Sequence, residues 1–155
     1  MRVQLILAII FIFIFSSCKD QYNICDTSLN VSLNGGFYHR TSTSETAAMP
    51  PAFTLFLLNT NTNLYNQQAG LQKWSMSLFP QTDTARYFVK LSNSSIADTI
   101  TFSYSSLRVT LPEPCGYIYT NSLSAVSSTR HTIDTITIVN PAVGTTGALN
   151  IKLYF

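Results

Sequence analysis

TITFSYSSLRVTL, residues 99–111, shows the clearest β-strand pattern in this chain. Its apolar residues stand two apart within each half: Ile100, Phe102 and Tyr104, then Leu107, Val109 and Leu111. Side chains two apart on a strand share one face, so each half predicts a half-buried strand. Pro112-Glu113-Pro114 follows directly and predicts a turn, because proline cannot donate a hydrogen bond to a sheet.

Segments of the same kind lie on both sides of this stretch. Two further alternating triplets are Trp74, Met76, Leu78 and Tyr87, Val89, Leu91. Strands are also predicted at Thr27–Tyr38, Phe53–Leu58, Gly116–Tyr119, Ile133–Val139 and Leu149–Phe155. The run Phe53–Leu58 is almost wholly apolar, which is typical of a strand covered on both faces. In the last segment Leu149, Ile151, Leu153 and Phe155 are expected to face inward, and Asn150, Lys152 and Tyr154 outward.

These segments predict an all-β fold in one domain. After Cys18, no segment places apolar residues at helical spacing over more than two turns, so no helix is predicted. About 7–9 short strands favour an immunoglobulin-like antiparallel sandwich of two sheets. A small β-barrel is the alternative. The apolar final strand is expected inside a sheet, because an exposed apolar edge promotes aggregation.

Three polar or flexible segments are predicted to interrupt the strands. Asn34-Gly35-Gly36 predicts a turn or bulge, because these residues tolerate positive φ. Thr41–Pro51 is rich in Ser, Thr and Ala and predicts an exposed loop. Asn59–Gly70 is polar and predicts a long connection.

The N-terminus carries a different pattern. A short basic start, Met1-Arg2, precedes a 13-residue apolar run, Val3–Phe15, and then Ser16-Ser17-Cys18. This order resembles a bacterial lipoprotein signal, which is cut before a cysteine that then carries lipid. The run is too short to span a bilayer, which takes about 20 apolar residues. The sequence therefore predicts a cleaved signal peptide at 1–17, an anchor and tether at 18–26 with lipidation at Cys18, and a β-sandwich domain at 27–155.

Lipidation of Cys18 would place the protein in the cell envelope. A single acyl chain such as palmitate binds a membrane only marginally, whereas additional chains contribute about 0.8 kcal/mol per buried CH₂. The residue after the cysteine is Lys19 and not an acidic residue, which in lipoproteins generally favours release to the outer membrane. Both a periplasmic and a cell-surface orientation are compatible with this pattern.

Two cysteines, Cys25 and Cys115, remain after lipidation of the third. An even number of cysteines in a protein outside the cytoplasm favours a disulfide, and two unpaired thiols are the alternative. A bridge over so long a loop would stabilise the fold by about 4–5 kcal/mol on a chain-entropy argument. A redox motif would need closely spaced cysteines, and no zinc site is expected, because His39 and His131 are distant in sequence.

Composition excludes some partners. Charged residues make up 10% of the chain, against about 25% in an average domain. Removing Arg2 with the signal leaves eight basic residues against seven acidic ones, without a long basic block. Nucleic acid is not expected as a partner, because phosphate binding needs clustered Lys and Arg.

Nothing in the sequence predicts an enzyme or a bound cofactor. The carboxylates are scattered singly: Asp20, Asp26, Glu45, Asp83, Asp98, Glu113 and Asp134. His131 and Asp134 stand three apart, which in a strand puts them on opposite faces and disfavours a His-Asp dyad. The chain contains no nucleophile elbow, no phosphate-binding glycine loop and no His-Glu-x-x-His motif.

Three threonines share an Asp-Thr-(Ala or Ile) context: Thr84, Thr99 and Thr135. This pattern looks like the acceptor for O-linked glycosylation of Bacteroidota envelope proteins, and a sugar there would hydrate a domain poor in charge. Equally, Asp can end a turn and Thr can begin a strand without any modification.

The aromatic residues raise a second possible role. Exposed aromatic rings can bind sugars by stacking, whereas Trp74 and Phe102 are expected to fill the core. Tyr117 and Tyr119 flank Ile118 and would share one face of a strand. The favoured hypothesis is a non-enzymatic interaction or assembly module of the envelope, and a glycan-binding accessory protein is the alternative.

Several segments together resemble a family of short Bacteroidota lipoproteins that is catalogued as a domain of unknown function. They are Cys18-Lys19-Asp20, Ile24-Cys25, Cys115-Gly116, Ile133-Asp134, Ile136–Asn140 and Asn150–Phe155. The resemblance implies a lipid-anchored β-domain of the envelope and assigns no catalytic residue. The Ser/Thr-rich segment Thr41–Ala48 departs from the family pattern.

Overall fold

The computed structural model describes residues 25–60 and 62–155. Within these ranges the chain is all-β, with eleven strands and no helix, and so no helix able to cross a membrane. The predicted signal peptide and the lipidation site Cys18 lie outside the described residues. The all-β prediction is confirmed.

The strands are numbered in chain order. They are β1 (Leu33–Arg40), β2 (Glu45–Ala47), β3 (Phe53–Leu57), β4 (Thr62–Gln68), β5 (Lys73–Met76), β6 (Thr84–Lys90), β7 (Asp98–Thr110), β8 (Tyr117–Ser128), β9 (Thr135–Ile138), β10 (Ala142–Val143) and β11 (Ile151–Tyr154). Eleven strands exceed the expected 7–9, because β2 and β10 are too short to show a pattern and β4 lies in a predicted connection.

The strands form two sheets, which confirms the predicted sandwich. One sheet has the order β10-β8-β7-β6-β3-β4, and the other has the order β2-β1-β11-β9, with β5 also paired to β1. The final strand lies inside its sheet, between β1 and β9, as expected. The pairing of β1 with β11 is parallel, which corrects the expectation of a wholly antiparallel fold. The first and last strands meet without a hairpin between them, so antiparallel pairing is not imposed.

The core lies between the two sheets. The predicted triplets at Trp74–Leu78, Tyr87–Leu91 and Ile100–Tyr104 are all buried. Phe37 from β1 and Phe53 from β3 meet edge to face, with ring centroids 4.9 Å apart. Burial of large apolar side chains supplies most of the favourable free energy of such a fold.

The first strand begins later than predicted. Leu29 is 51% exposed, and β1 starts only at Leu33. The Gly35-Gly36 pair lies inside β1 rather than in a turn, because the indole of Trp74 packs on the backbone of Gly35. A Cβ at Gly35 would stand 2.3 Å from Cε2 of Trp74. Glycine is therefore required there by close packing and not by its φ angle.

Asn59–Gly70 is not a simple connection, because it contains the edge strand β4. This strand is polar and exposed and pairs only with β3. The Tyr65 hydroxyl donates to the carbonyl of Ser75 at 3.1 Å and accepts from its amide at 2.9 Å. An edge strand that lies outside the core needs no alternating apolar residues, so its sequence carries no strand pattern.

Asn150, predicted to face outward, is buried at 1% exposure. Tyr154 is buried at 2% exposure, which corrects its predicted outward orientation as well. Its hydroxyl donates to Oε2 of Glu45 at 2.8 Å, and the Arg40 guanidinium lies 4.1 Å from the ring centroid. Hydrogen bonds from Lys152 and Tyr154 hold the pKa of Glu45 below its usual value. Tyr154 is thus in contact with the side chains of Glu45 on β2 and Arg40 at the end of β1, which the alternation of β11 alone does not reveal.

Candidate functional site: a protruding hairpin arm

The β7–β8 hairpin extends beyond the body of the sheet. The pairing of β6 with β7 reaches only Ser103, and the pairing of β10 with β8 covers only Asn121 and Ser122. Residues 106–121, here called the arm, therefore form a two-stranded ribbon held by the pairs from Ser106–Asn121 to Thr110–Tyr117. At its base the Ser106 hydroxyl donates to Oδ1 of buried Asn121 at 2.7 Å.

The arm corrects the prediction of two separate strands within residues 99–111. Ile100 to Leu107 belong to one continuous 13-residue strand, and the partner strand runs on to Ser128 instead of ending at Tyr119. Residues at even positions face the core up to Tyr104, and Leu107 lies on the opposite face with 66% exposure. The break in alternation marks the point where the strand leaves the sandwich, not the end of the strand.

The two faces of the arm differ in chemistry. Directly paired residues share a face, so Leu107–Thr120 and Val109–Ile118 form an aliphatic face. The pairs Arg108–Tyr119 and Thr110–Tyr117 form an aromatic face.

Tyr117 and Tyr119 share the aromatic face, as predicted. They are 51% and 39% exposed. Their rings are perpendicular, with centroids 5.8 Å apart, and the Arg108 guanidinium lies 3.9 Å from the Tyr117 centroid.

A disulfide fixes the tip of the arm. The sulfurs of Cys25 and Cys115 are bonded, with Cα atoms 5.0 Å apart, which confirms the predicted bridge. The tip turn is closed by amide-to-carbonyl hydrogen bonds from Leu111 to Gly116 and from Cys115 to Pro112, both 2.8 Å long. Gly116 has φ of 74°, in the left-handed region that favours glycine. The bridge therefore joins the N-terminal segment of the domain to the far end of the arm.

We expect removal of this bridge by Cys25→Ala with Cys115→Ala to lower the free energy of unfolding by about 2 kcal/mol, less than the 4–5 kcal/mol of the chain-entropy argument. Residues Asp26–Asn30 are exposed, so the bridge orders a segment that would otherwise retain freedom in the folded protein. Urea unfolding measures the change, and the double variant should not respond to reductant. A loss of the full 4–5 kcal/mol would contradict this interpretation.

A groove lies beside the arm, between β8 and the segment that contains β10. Its volume is about 780 Å³. The lining residues are Ser105, Ser106, Leu107, Thr120, Asn121, Ser122, Asn140, Ala142, Val143, Gly144 and Thr146. These side chains are small or neutral, so the groove suits uncharged polar or apolar groups.

Asp98 is the one buried carboxylate among the described residues. Its Oδ1 accepts from the Thr129 hydroxyl and the His131 amide, both at 2.7 Å. Its Oδ2 accepts from the amides of Thr132 and Ile133 at 2.8 and 2.9 Å. Burial by itself would raise the pKa of Asp98, but these hydrogen bonds outweigh it and lower the pKa.

The hydrogen bonds of Asp98 organise the crossover between the two sheets. Thr129–Ile133 connects β8 of one sheet to β9 of the other. His131 Nδ1 lies 3.3 Å from Asp98 Oδ1, and the His131 side chain is half exposed. His131 thus contacts Asp98 rather than Asp134, a partner that the sequence did not indicate because the two residues are 33 positions apart.

The three predicted acceptor threonines differ in accessibility. Thr84 is exposed, whereas Thr99 and Thr135 are half-buried. Thr84 and its neighbour Asp83 line an open depression with Tyr104. Asp98, which precedes Thr99, is occupied by the hydrogen bonds of the crossover. Glycosylation stays a prediction, and Thr84 is the position best placed for it.

Within residues 25–60 and 62–155, no three His, Cys, Asp or Glu side chains lie close enough together to hold a metal ion.

Comparison with known proteins gives a family and no named relative. Neither the curated proteins nor the solved structures contain a match to this chain. A family described as a family of unknown function (DUF6452) matches residues 52–155, which include β3 to β11 and the whole arm. The chain belongs to the family of unknown function DUF6452.

Proposed function

We propose that this protein is a lipid-anchored, non-enzymatic interaction module of the cell envelope, and that its arm binds an extended segment of a partner protein. The observation that carries the proposal is the free edge of β8. The β10 strand covers this edge only at Asn121 and Ser122, so Tyr117–Thr120 have β7 as their sole strand neighbour among the described residues. A partner strand placed there would continue the sheet where β10 ends.

Strand addition suits the chemistry of this edge. Unpaired N–H and C=O groups along a sheet edge form a template for another strand, and main-chain hydrogen bonds then supply affinity. Proteins usually protect such edges with Lys, Pro or very short strands. Here the edge consists of Tyr117-Ile118-Tyr119-Thr120, and these residues are uncharged and have high β propensity.

The groove beside the arm would provide selectivity. A bound strand projects alternate side chains to the same face. Those on the aliphatic face would lie near Leu107 and Thr120, both of which line the groove. Small neutral side chains in the partner are therefore expected to bind best.

The membrane part of the proposal depends on Cys18. A diacylglycerol group on its sulfur and an acyl chain such as palmitate on its amine would hold the protein at the outer membrane. The lipoprotein signal and the resemblance to short Bacteroidota lipoproteins support this placement. The protein would need no cofactor, and the singly scattered carboxylates support a role in binding rather than catalysis.

The glycan-binding role has less geometric support. It requires coplanar exposed rings, whereas Tyr117 and Tyr119 are perpendicular. It stays an alternative that glycan-array binding of the protein would test.

Photo-crosslinking in intact cells tests the proposed edge. A photoreactive amino acid replaces Thr120 on the arm or, as a control, Leu64 on the opposite edge strand β4. We expect one discrete crosslinked product from position 120 that position 64 does not give. Ile118→Lys, in the position-120 protein, should abolish the product by placing a charge on the aliphatic face, while Leu64→Lys in that protein should leave it unchanged.

Identical products from both positions, or a product that survives Ile118→Lys, would contradict strand binding at the arm. Urea midpoints of the substituted proteins establish that each of them folds. Metabolic labelling with palmitate, compared between the natural chain and Cys18→Ala, tests the anchor separately.

A further inference from the structure

The disulfide places the arm close to the proposed anchor. Cys25 is bonded to Cys115 at the tip of the arm, and Cys18 precedes Cys25 by seven residues. Even a fully extended chain spans at most about 3.6 Å per residue, so the anchor lies within about 25 Å of the Cys25 Cα. The ribbon from Thr110–Tyr117 back to Ser106–Asn121 is only about 14 Å long. The whole arm is therefore confined to the neighbourhood of the membrane, an inference that rests on the proposed lipidation.

The aromatic face has the chemistry of a membrane interface. Tyrosine combines an apolar ring with a polar hydroxyl and is enriched where headgroups meet acyl chains. Tyr117 and Tyr119 expose 51% and 39% of their surface on this face. Arg108 stacks on Tyr117 and would meet anionic headgroups. The acidic residue nearest in sequence is Glu113 in the tip turn, and the disulfide brings Asp26, next to Cys25, toward the same tip.

We propose that the aromatic face of the arm lies in the headgroup layer of the membrane that carries the anchor. Tyr117, nearest the tip, enters the layer most deeply, and Arg108 contacts lipid phosphates. This orientation leaves the aliphatic face and the β8 edge available to a partner. The domain is thereby held at a defined angle instead of swinging on its tether.

Quenching by brominated lipid tests this orientation. The lipidated full-length protein is reconstituted into vesicles of phosphatidylethanolamine and phosphatidylglycerol that carry bromine near the headgroup end of the acyl chains. Tyr117→Trp and Leu64→Trp are compared with the unsubstituted protein, whose single tryptophan, Trp74, is buried. Leu64 is the matched control, because it is 40% exposed on β4 at the opposite edge of the sheet.

We expect brominated lipid to reduce the tryptophan emission of Tyr117→Trp relative to unbrominated lipid. We also expect the emission of this variant to lie at shorter wavelength in vesicles than in buffer. Leu64→Trp should show neither change. Adding Arg108→Gln should reduce the quenching of Tyr117→Trp in vesicles with phosphatidylglycerol, whereas Arg86→Gln on β6 should not. Protein that sediments with vesicles but shows equal quenching at both positions overturns the inference and leaves the anchor intact. Protein that fails to sediment overturns the anchor and this inference together.

Discussion

Asp98→Asn should lower the free energy of unfolding by about 3 kcal/mol, the cost expected when hydrogen bonds to a buried charged group are lost and buried donors are left unpaired. Each carboxylate oxygen of Asp98 accepts from two protein donors, at 2.7 to 2.9 Å. An asparagine amide places an NH₂ group against two of these donors whichever way it turns. Urea unfolding at neutral pH measures the loss.

The same residue should make stability depend on pH. The ordinary pKa of this carboxyl group is 3.8 and folding lowers it, so the unfolded chain binds a proton more readily. The stabilisation is therefore fully present above the unfolded pKa and is lost as the pH falls through the folded pKa. The difference between the natural protein and Asp98→Asn should shrink over that acidic range.

Asp83→Asn is the matched control, because Asp83 also precedes a threonine at the start of a strand but is exposed. It should change stability by no more than about 0.5 kcal/mol. Equal effects at the two positions, or a pH-independent loss at Asp98, would refute the structural role assigned to the buried carboxylate.

Gly35→Ala should also cost about 3 kcal/mol, at the upper end of the range for an overpacked core. The added methyl would stand 2.3 Å from Cε2 and 2.4 Å from Cζ2 of Trp74. Trp74 is itself buried between Phe37 and Phe53, with ring centroids 6.2 and 5.8 Å away, so the indole cannot move aside freely. Thermal or urea unfolding, with Trp74 fluorescence as the probe, measures the loss.

Gly144→Ala provides the comparison for this substitution. A Cβ there has no neighbouring atom within 4 Å. Replacing such a glycine reduces the entropy of the unfolded chain and typically stabilises by about 0.4–1 kcal/mol. A stable Gly35→Ala protein with unchanged fluorescence would show that the close packing of Trp74 on β1 is not required.

The sequence was sufficient to predict the sandwich and its core. Ile100, Phe102 and Tyr104 alternate with polar residues because a strand of a two-sheet fold covers the core on one face only. This relation is local, so it is readable without knowledge of the partner strands. The pairing of Cys25 with Cys115 was also predicted, because the expected lipidation of Cys18 would leave two cysteines for a bridge.

The arm was predictable only in part. That Tyr117 and Tyr119 share a face follows from their spacing, but their exposure does not, since it depends on where β6 and β10 end. Leu107 and Val109 alternate as a buried strand would, yet they lie beyond the sandwich. Local alternation shows which residues share a face and not whether another sheet covers that face.

Alternation along the chain thus determined the fold class and the inward residues of β5, β6 and the sandwich part of β7, because these depend on neighbours in sequence. The cysteine count favoured the bridge. Four features follow from the tertiary structure alone: the position of Gly35 and Gly36 inside β1, the formation of the polar edge strand β4, the burial of Tyr154 and the hydrogen-bond partners of Asp98. Each of these depends on a contact between residues distant in the chain: Trp74 lies on Gly35, and the donors to Asp98 come from residues 31 to 35 positions away. Such contacts form only when strands distant in the chain pair within a sheet, or when the chain crosses between the sheets, and no local pattern records them.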